Sequence, residues 1–252
     1  MDSSSSILLV NSLRNLRRAV LVELLAIPII IVAVIVVMVA LFFQLFTRGM
    51  NIDVLASSIM NMIIILGGLA IAILILYYIY MSKGWKGMCS ERTEYCTVRT
   101  VFTYLMPIHI IFTILALIFI SMGISQFIKE LMPWLTKELS TEDIIKLFSK
   151  IAPLLTGAIL LFIGAILGVI VEVFVFVGFY RISTLYNIDV LKVGAILKLI
   201  TEFIGRGVGF IGAMQFASIG VAILYIVALI LIYLGLGNSM KKAAEIGAAG
   251  GI

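Results

Sequence analysis

Five runs of 23 to 29 residues carry almost no charge: 19–46, 54–80, 101–123, 152–180 and 208–236. Only the first and fourth hold a charged residue, Glu23 and Glu172 respectively. A hydrocarbon core of about 30 Å takes about 20 apolar residues in a helix, and a backbone in lipid must satisfy its polar groups within its own segment. The runs therefore predict an all-α fold, a polytopic transmembrane helical bundle of five spans. Several exceed the minimum length, which implies tilt or helix ends emerging into the headgroups.

Composition excludes a soluble domain. The 252 residues are 63% hydrophobic and 12% charged, with a mean hydropathy of +1.26, against about 45–50% and 25% in soluble proteins. The net charge of +5 does not indicate nucleic acid, because Lys and Arg punctuate the ends of apolar runs instead of clustering on one solvated face. No direct nucleic-acid-binding motif is present. The basic cluster Arg14, Arg17 and Arg18 precedes an apolar run that continues to Phe46, too long for a signal-peptide core. It reads as a retained first span.

The links differ in character. Residues 47–53 are few enough for a tight connection, so the first two spans are expected to form a hairpin. Residues 124–151 mix lysines with acidic residues and suggest two short amphipathic pieces broken at Pro133, the second opening with the N-cap chemistry of STED. Residues 187–205 are long enough to span, yet carry Asp189, Lys192, Lys198 and Glu202. On a helix Val190, Val193, Leu197, Ile200 and Ile204 fall on one side and the four charges on the other half. Four charges in a span cost several kcal/mol, whereas a helix lying in the interface keeps them wet. An interfacial amphipathic helix is the expectation, and a sixth span the alternative.

With the N-terminus inside and five alternating spans, eleven Lys and Arg fall on inner segments and seven on outer ones. This asymmetry predicts a cytoplasmic N-terminus for a multi-pass cell-membrane protein. Cys89 and Cys96 then face the cytoplasm and are expected as free thiols, with a loop disulfide as the alternative, since intracellular proteins of hyperthermophiles keep disulfides. The whole chain, 1–252, reads as one integral membrane domain with an N-terminal segment 1–18. The Gly- and Ala-rich residues 238–252 read as a flexible tail.

Intramembrane polar residues point to a site, because charge in the bilayer is costly. Gly164, Gly168 and Glu172 recur every four residues, so Glu172 shares a helix face with small residues and is expected to meet another helix. Gly205, Gly209 and Ala213 form a second such stripe, which makes the fourth and fifth spans expected packing partners. With alternating spans, Glu172, the lone histidine His109 and Gln215 lie about 11–12 Å from one membrane face. A carboxylate, an imidazole and an amide at one depth suit proton relay or cation coordination. Such groups also serve as interhelical glue. Pro107, two residues before His109, is expected to disturb its helix. Glu23 lies one turn inside the first span, and Asn61 lies nearer the opposite face.

No phosphate loop, HExxH or CxxC motif occurs, and one histidine gives no His-based metal site. The chain is read as no enzyme, with no cofactor and no metal. The run VFVGFYRISTLYNIDVLKVGAILKLI, an apolar span with an aromatic, basic end followed by a kink and an amphipathic helix, resembles uncharacterised archaeal polytopic membrane families over 152–242. Length and span count are also similar to those of the polytopic subunit of the crenarchaeal DNA-import system. These resemblances imply a membrane protein and transfer no site residue.

Three functions follow as expectations. The first is a small transporter or channel-type subunit for ions, protons or small solutes, using Glu172, His109 and Gln215. The second is a structural or assembly subunit of a membrane machine, in a homo-oligomer or larger complex. The third, the least supported since no enzyme motif is present, is a lipid-acting enzyme whose Lys192, Lys198 and Arg206 meet anionic head groups; membrane lipids are partners in every case.

Overall fold

Long runs of Leu, Ile, Val and Ala in an apolar medium leave the backbone one local solution, the helix, and that is what forms. A computed structural model describes the backbone of residues 3–48, 52–134, 141–211 and 215–249, and side chains over most of 6–128, 151–205 and 219–248. Six helices follow in order: α1 Ser3–Arg48, α2 Ile52–Glu91, α3 Cys96–Trp134, α4 Thr141–Tyr186, α5 Asp189–Ile211 and α6 Gln215–Ala249. A single 3-10 turn, Thr93–Tyr95, joins α2 to α3, and no strand occurs among the described residues. All but α5 contain a stretch long and apolar enough to cross a membrane. The fold is an all-α bundle of membrane-spanning helices.

The chain divides into two compact units whose boundaries fall within helices, so the single domain expected over 1–252 has two packing centres. One comprises Met1–Ala26, Ile73–Ile108 and Ala165–Ile252; the other comprises Ile27–Ala72 and His109–Gly164. In the first, Trp85 of α2 is fully buried, stacked on Tyr95 with ring centroids 6.2 Å apart and tilted against Phe179 of α4 at 5.6 Å. In the second, a Cβ on Gly157 of α4 would lie 2.6 Å from Ile120 Cγ1 of α3, which marks a close helix approach. Ser58 of α2 donates to Gln44 of α1 at 2.7 Å, as a hairpin of the first two helices requires. Side chains of α1 such as Ile31, Val36, Phe42 and Phe46 are exposed, an apolar surface suited to lipid or to another apolar partner.

Several expectations are corrected. The segment 124–151 forms no separate amphipathic pieces: α3 runs on through Pro133 to Trp134, and α4 already begins at Thr141. Pro107 likewise lies within an unbroken α3. Residues 238–249 are no loose tail, for α6 continues to Ala249, buries Ser239 and Ala243, and sets Gly247 against Ser6 of α1. Cys89 and Cys96 are disulfide-bonded, closing the α2–α3 loop. The free-thiol expectation rested on compartment alone and said nothing about how close the two residues come.

The largest correction concerns α5, which packs along α6 and antiparallel to it. A Cβ on Gly194 would lie 2.9 Å from Ile232 N, and one on Gly235 would lie 2.6 Å from Leu191 Cβ. The apolar residues Val190, Val193, Ile200 and Ile204 are exposed, whereas Lys198 is buried. Lys198 turned inward, Glu202 half-buried and aliphatic side chains outward suit a helix packed beside a span, while Asp189 at its start stays exposed. α5 thus carries the chain back along α6, and α6 ends where α1 begins: besides Ser6 and Gly247, Arg17 lies 4.0 Å over the Tyr233 ring. Lys242 of α6 donates to the Tyr186 and Asn187 carbonyls of the α4–α5 turn at 2.8 and 3.3 Å. Strict alternation of five spans would have separated these ends.

Candidate functional site

Lys198 is the centre of the site. It lies nine residues into α5, roughly 14 Å along the axis from Asp189, a depth comparable to half a hydrocarbon core. Its Nζ donates to Glu172 Oε2 of α4 at 2.7 Å and pairs with Glu23 Oε1 of α1 at 3.1 Å. The Tyr225 hydroxyl of α6 donates to the same Glu23 oxygen. Four helices thus each contribute one polar side chain, and a fifth group, the Tyr77 ring of α2, lies with its centroid 5.7 Å from Nζ. Carboxylate oxygens of Glu23, Glu172 and Glu202 come within 4.8 Å of one another.

Charge balance decides what such a cluster can do. An unpaired ammonium in an apolar interior is prohibitively costly, so Lys198 needs a carboxylate. It pairs with two, and with Glu202 beside them the group carries two negative charges in excess when all three carboxylates are ionised. Glu23 Oε2 and the Tyr77 hydroxyl are buried without a hydrogen-bond partner among the described residues, and a buried polar atom without a partner costs about 1–3 kcal/mol. The unpartnered Glu23 oxygen is a free acceptor and the Tyr77 hydroxyl a free donor beside the ion pairs.

A family model covers residues 10–248, described as "Protein of unknown function (DUF973)". The chain belongs to that family. Its match takes in all six helices, from within α1 almost to the end of α6, so the resemblance extends well beyond the 152–242 in which the sequence pattern shows it. No curated protein and no solved structure matches. The family match covers Glu23, Glu172, Lys198 and Tyr225 alike, so the whole cluster belongs to the family domain.

The other residues predicted from sequence fall in different places. His109 belongs to the other unit: its Nδ1 lies 2.8 Å from the Gly164 carbonyl oxygen, and because a carbonyl only accepts, Nδ1 carries the proton. Gly164 packs on α3, where a Cβ would meet Phe112 and His109 at ordinary distances of 3.6 and 3.7 Å, rather than on the fifth span. Gly168 is buried on α4. Gly205 is exposed, 3.5 Å from Val221 of α6 by its would-be Cβ, so it packs within the α5–α6 pair. Arg206, Gly209, Ala213 and Gln215 lie outside the residues whose side chains are described. Asn61 is exposed. Lys192 lies 5.1 Å from the Tyr180 ring, near the turn, whereas Lys198, expected among the head groups, is withdrawn into the cluster by its two carboxylates.

Proposed function

We propose that the protein is a small membrane transporter or channel-type subunit for protons or cations, and that Glu23, Glu172 and Lys198 form its coupling site. The supporting observation is the sharing of one buried ammonium by two carboxylates inside a bundle of apolar helices. Intramembrane ionisable groups are expensive to keep, and where they persist they mark ion and proton paths. A proton or a small cation reaching Glu23 or Glu172 weakens that carboxylate's hold on Lys198, so occupancy and Lys198 position are coupled. Tyr225 fixes one carboxylate and Tyr77 supplies a neutral hydroxyl beside the trio. No enzymatic step is part of this reading.

The experiment is flux into proteoliposomes under a pH or monovalent-cation gradient. Wild-type chain is expected to dissipate the gradient, and Glu172→Gln to abolish that dissipation while eluting as a folded species. Full flux in a folded Glu172→Gln variant overturns the reading.

A further inference from the structure

A second polar feature lies away from the cluster, where the α2–α3 loop meets the last turns of α4. A cleft of about 500 Å³ is lined by Arg92, Glu94, Phe176, Tyr180, Arg181 and Thr184, with Val177 and Leu185 completing its wall. Its volume is within the range of small-molecule sites. The lining is stratified by helical spacing: Arg181 and Thr184 lie toward the Asn187 turn, and Phe176 and Val177 one to two turns deeper, about 6–12 Å along the axis. Arg181 Nη1 donates to the Glu94 carbonyl, which holds the guanidinium at the rim and leaves most of its five donors for another acceptor. Arg92 lies 3.7 Å from the Glu94 carboxylate, both well exposed, a pair too wet to bind tightly. Lys192 sits over Tyr180 from the neighbouring turn. Two arginines against one carboxylate give the lining a net positive charge above an apolar floor.

We propose that this cleft binds an anionic phospholipid, its phosphate between Arg92 and Arg181 and the start of its chain against Phe176 and Val177. Arg guanidinium groups match phosphate oxygens bidentately, and the aromatic ring of Tyr180 suits the boundary between head group and hydrocarbon. The bound lipid ties the disulfide-closed loop to α4. A free phosphate shares the rim chemistry but gains nothing from the apolar floor, and that difference separates the two sources. The inference does not depend on the transport reading.

The test is native mass spectrometry of the full chain in a nonionic detergent, with phosphatidylglycerol, phosphatidylcholine and inorganic phosphate added separately. Phosphatidylglycerol is expected to be retained about tenfold better than phosphatidylcholine, with phosphate unable to displace it, as the loss of charge-assisted hydrogen bonds implies. An Arg92→Ala, Arg181→Ala double variant is expected to lose that preference, whereas Lys83→Ala, Lys86→Ala, removing exposed charges outside the cleft, retains it. Thr184→Glu leaves the Arg181 hydrogen bond intact while placing a carboxylate at the rim, so it gives the same loss even if the double variant misfolds. Equal retention of both lipids, undiminished preference in Thr184→Glu, or displacement by phosphate alone overturns the proposal.

Discussion

At the scale of single residues, Lys198 shows how a charge is made tolerable in an apolar interior. Removing one partner of a buried pair costs about 3–5 kcal/mol because the other charge is left uncompensated, whereas neutralising the whole group is close to neutral. Lys198→Met is therefore expected to lower thermal stability sharply. Glu23→Gln and Glu172→Gln added to Lys198→Met recover most of the loss, as a melting series in detergent would show. If the triple variant melts as low as Lys198→Met, the ion pairs are not what holds these helices together. The sequence exposes half of this arrangement. A lone carboxylate in an apolar run demands a partner, which makes Glu172 conspicuous, but its partner is 26 residues away and Tyr225 is 202 residues from Glu23. The periodicity of α5 sorts its residues into two faces without indicating which one turns inward. A useful signal was present all the same: the only long apolar runs with a carboxylate are those whose helices supply the two anions to the lysine.

At the scale of elements, the turn between α4 and α5 and the seam between α5 and α6 hold the lysine in place. Asn187 takes φ 50°, the left-handed region that Asn and Gly enter at least cost. Asn187→Gly is expected to be tolerated, and Asn187→Val to lose about 1–2 kcal/mol in the same melting assay. The seam is tight at Gly235, whose would-be Cβ lies 2.7 Å from Leu191 Cα, but open at Gly220, where nothing lies within 4 Å. Gly235→Val should destabilise by about 1–3 kcal/mol through overpacking, and Gly220→Ala should be neutral or slightly stabilising. Matching losses at the two positions would contradict the seam as described. The existence of the five apolar helices was legible because their length and hydropathy admit no other element. Their extent was not: Pro133, near the end of α3, and the Gly- and Ala-rich end of α6 look like breaks, yet the helix geometry continues through both.

At the scale of the whole chain, the decisive feature is where the ends lie. Ser6 against Gly247, Arg17 over Tyr233 and Lys242 on the α4–α5 turn bring the beginning of α1 and the end of α6 to one end of their unit. We propose from this that the chain makes an even number of passes, with α5 as a pass that four charged residues disguise in the sequence; an insertion cost counted one residue at a time overlooks the pairing that reduces it. Eleven of the eighteen Lys and Arg lie on segments near this end: Arg14, Arg17, Arg18, Lys83, Lys86, Arg92, Arg99, Arg181, Lys192, Lys241 and Lys242. By the bias of positive charge toward the cytoplasm, we propose that both termini are cytoplasmic. The Cys89–Cys96 bridge closes the loop near this same end, and a cytoplasmic disulfide is confined largely to cells that keep such bonds, as hyperthermophiles do. An impermeant maleimide applied to right-side-out vesicles is therefore expected to miss both cysteines, before and after treatment with an impermeant reductant, and to label them after reduction in inverted vesicles. Labelling from outside after reduction would put this end on the outer face and reverse the orientation, leaving the even number of passes intact; reporters fused to the two termini that give opposite sides would overturn that number as well.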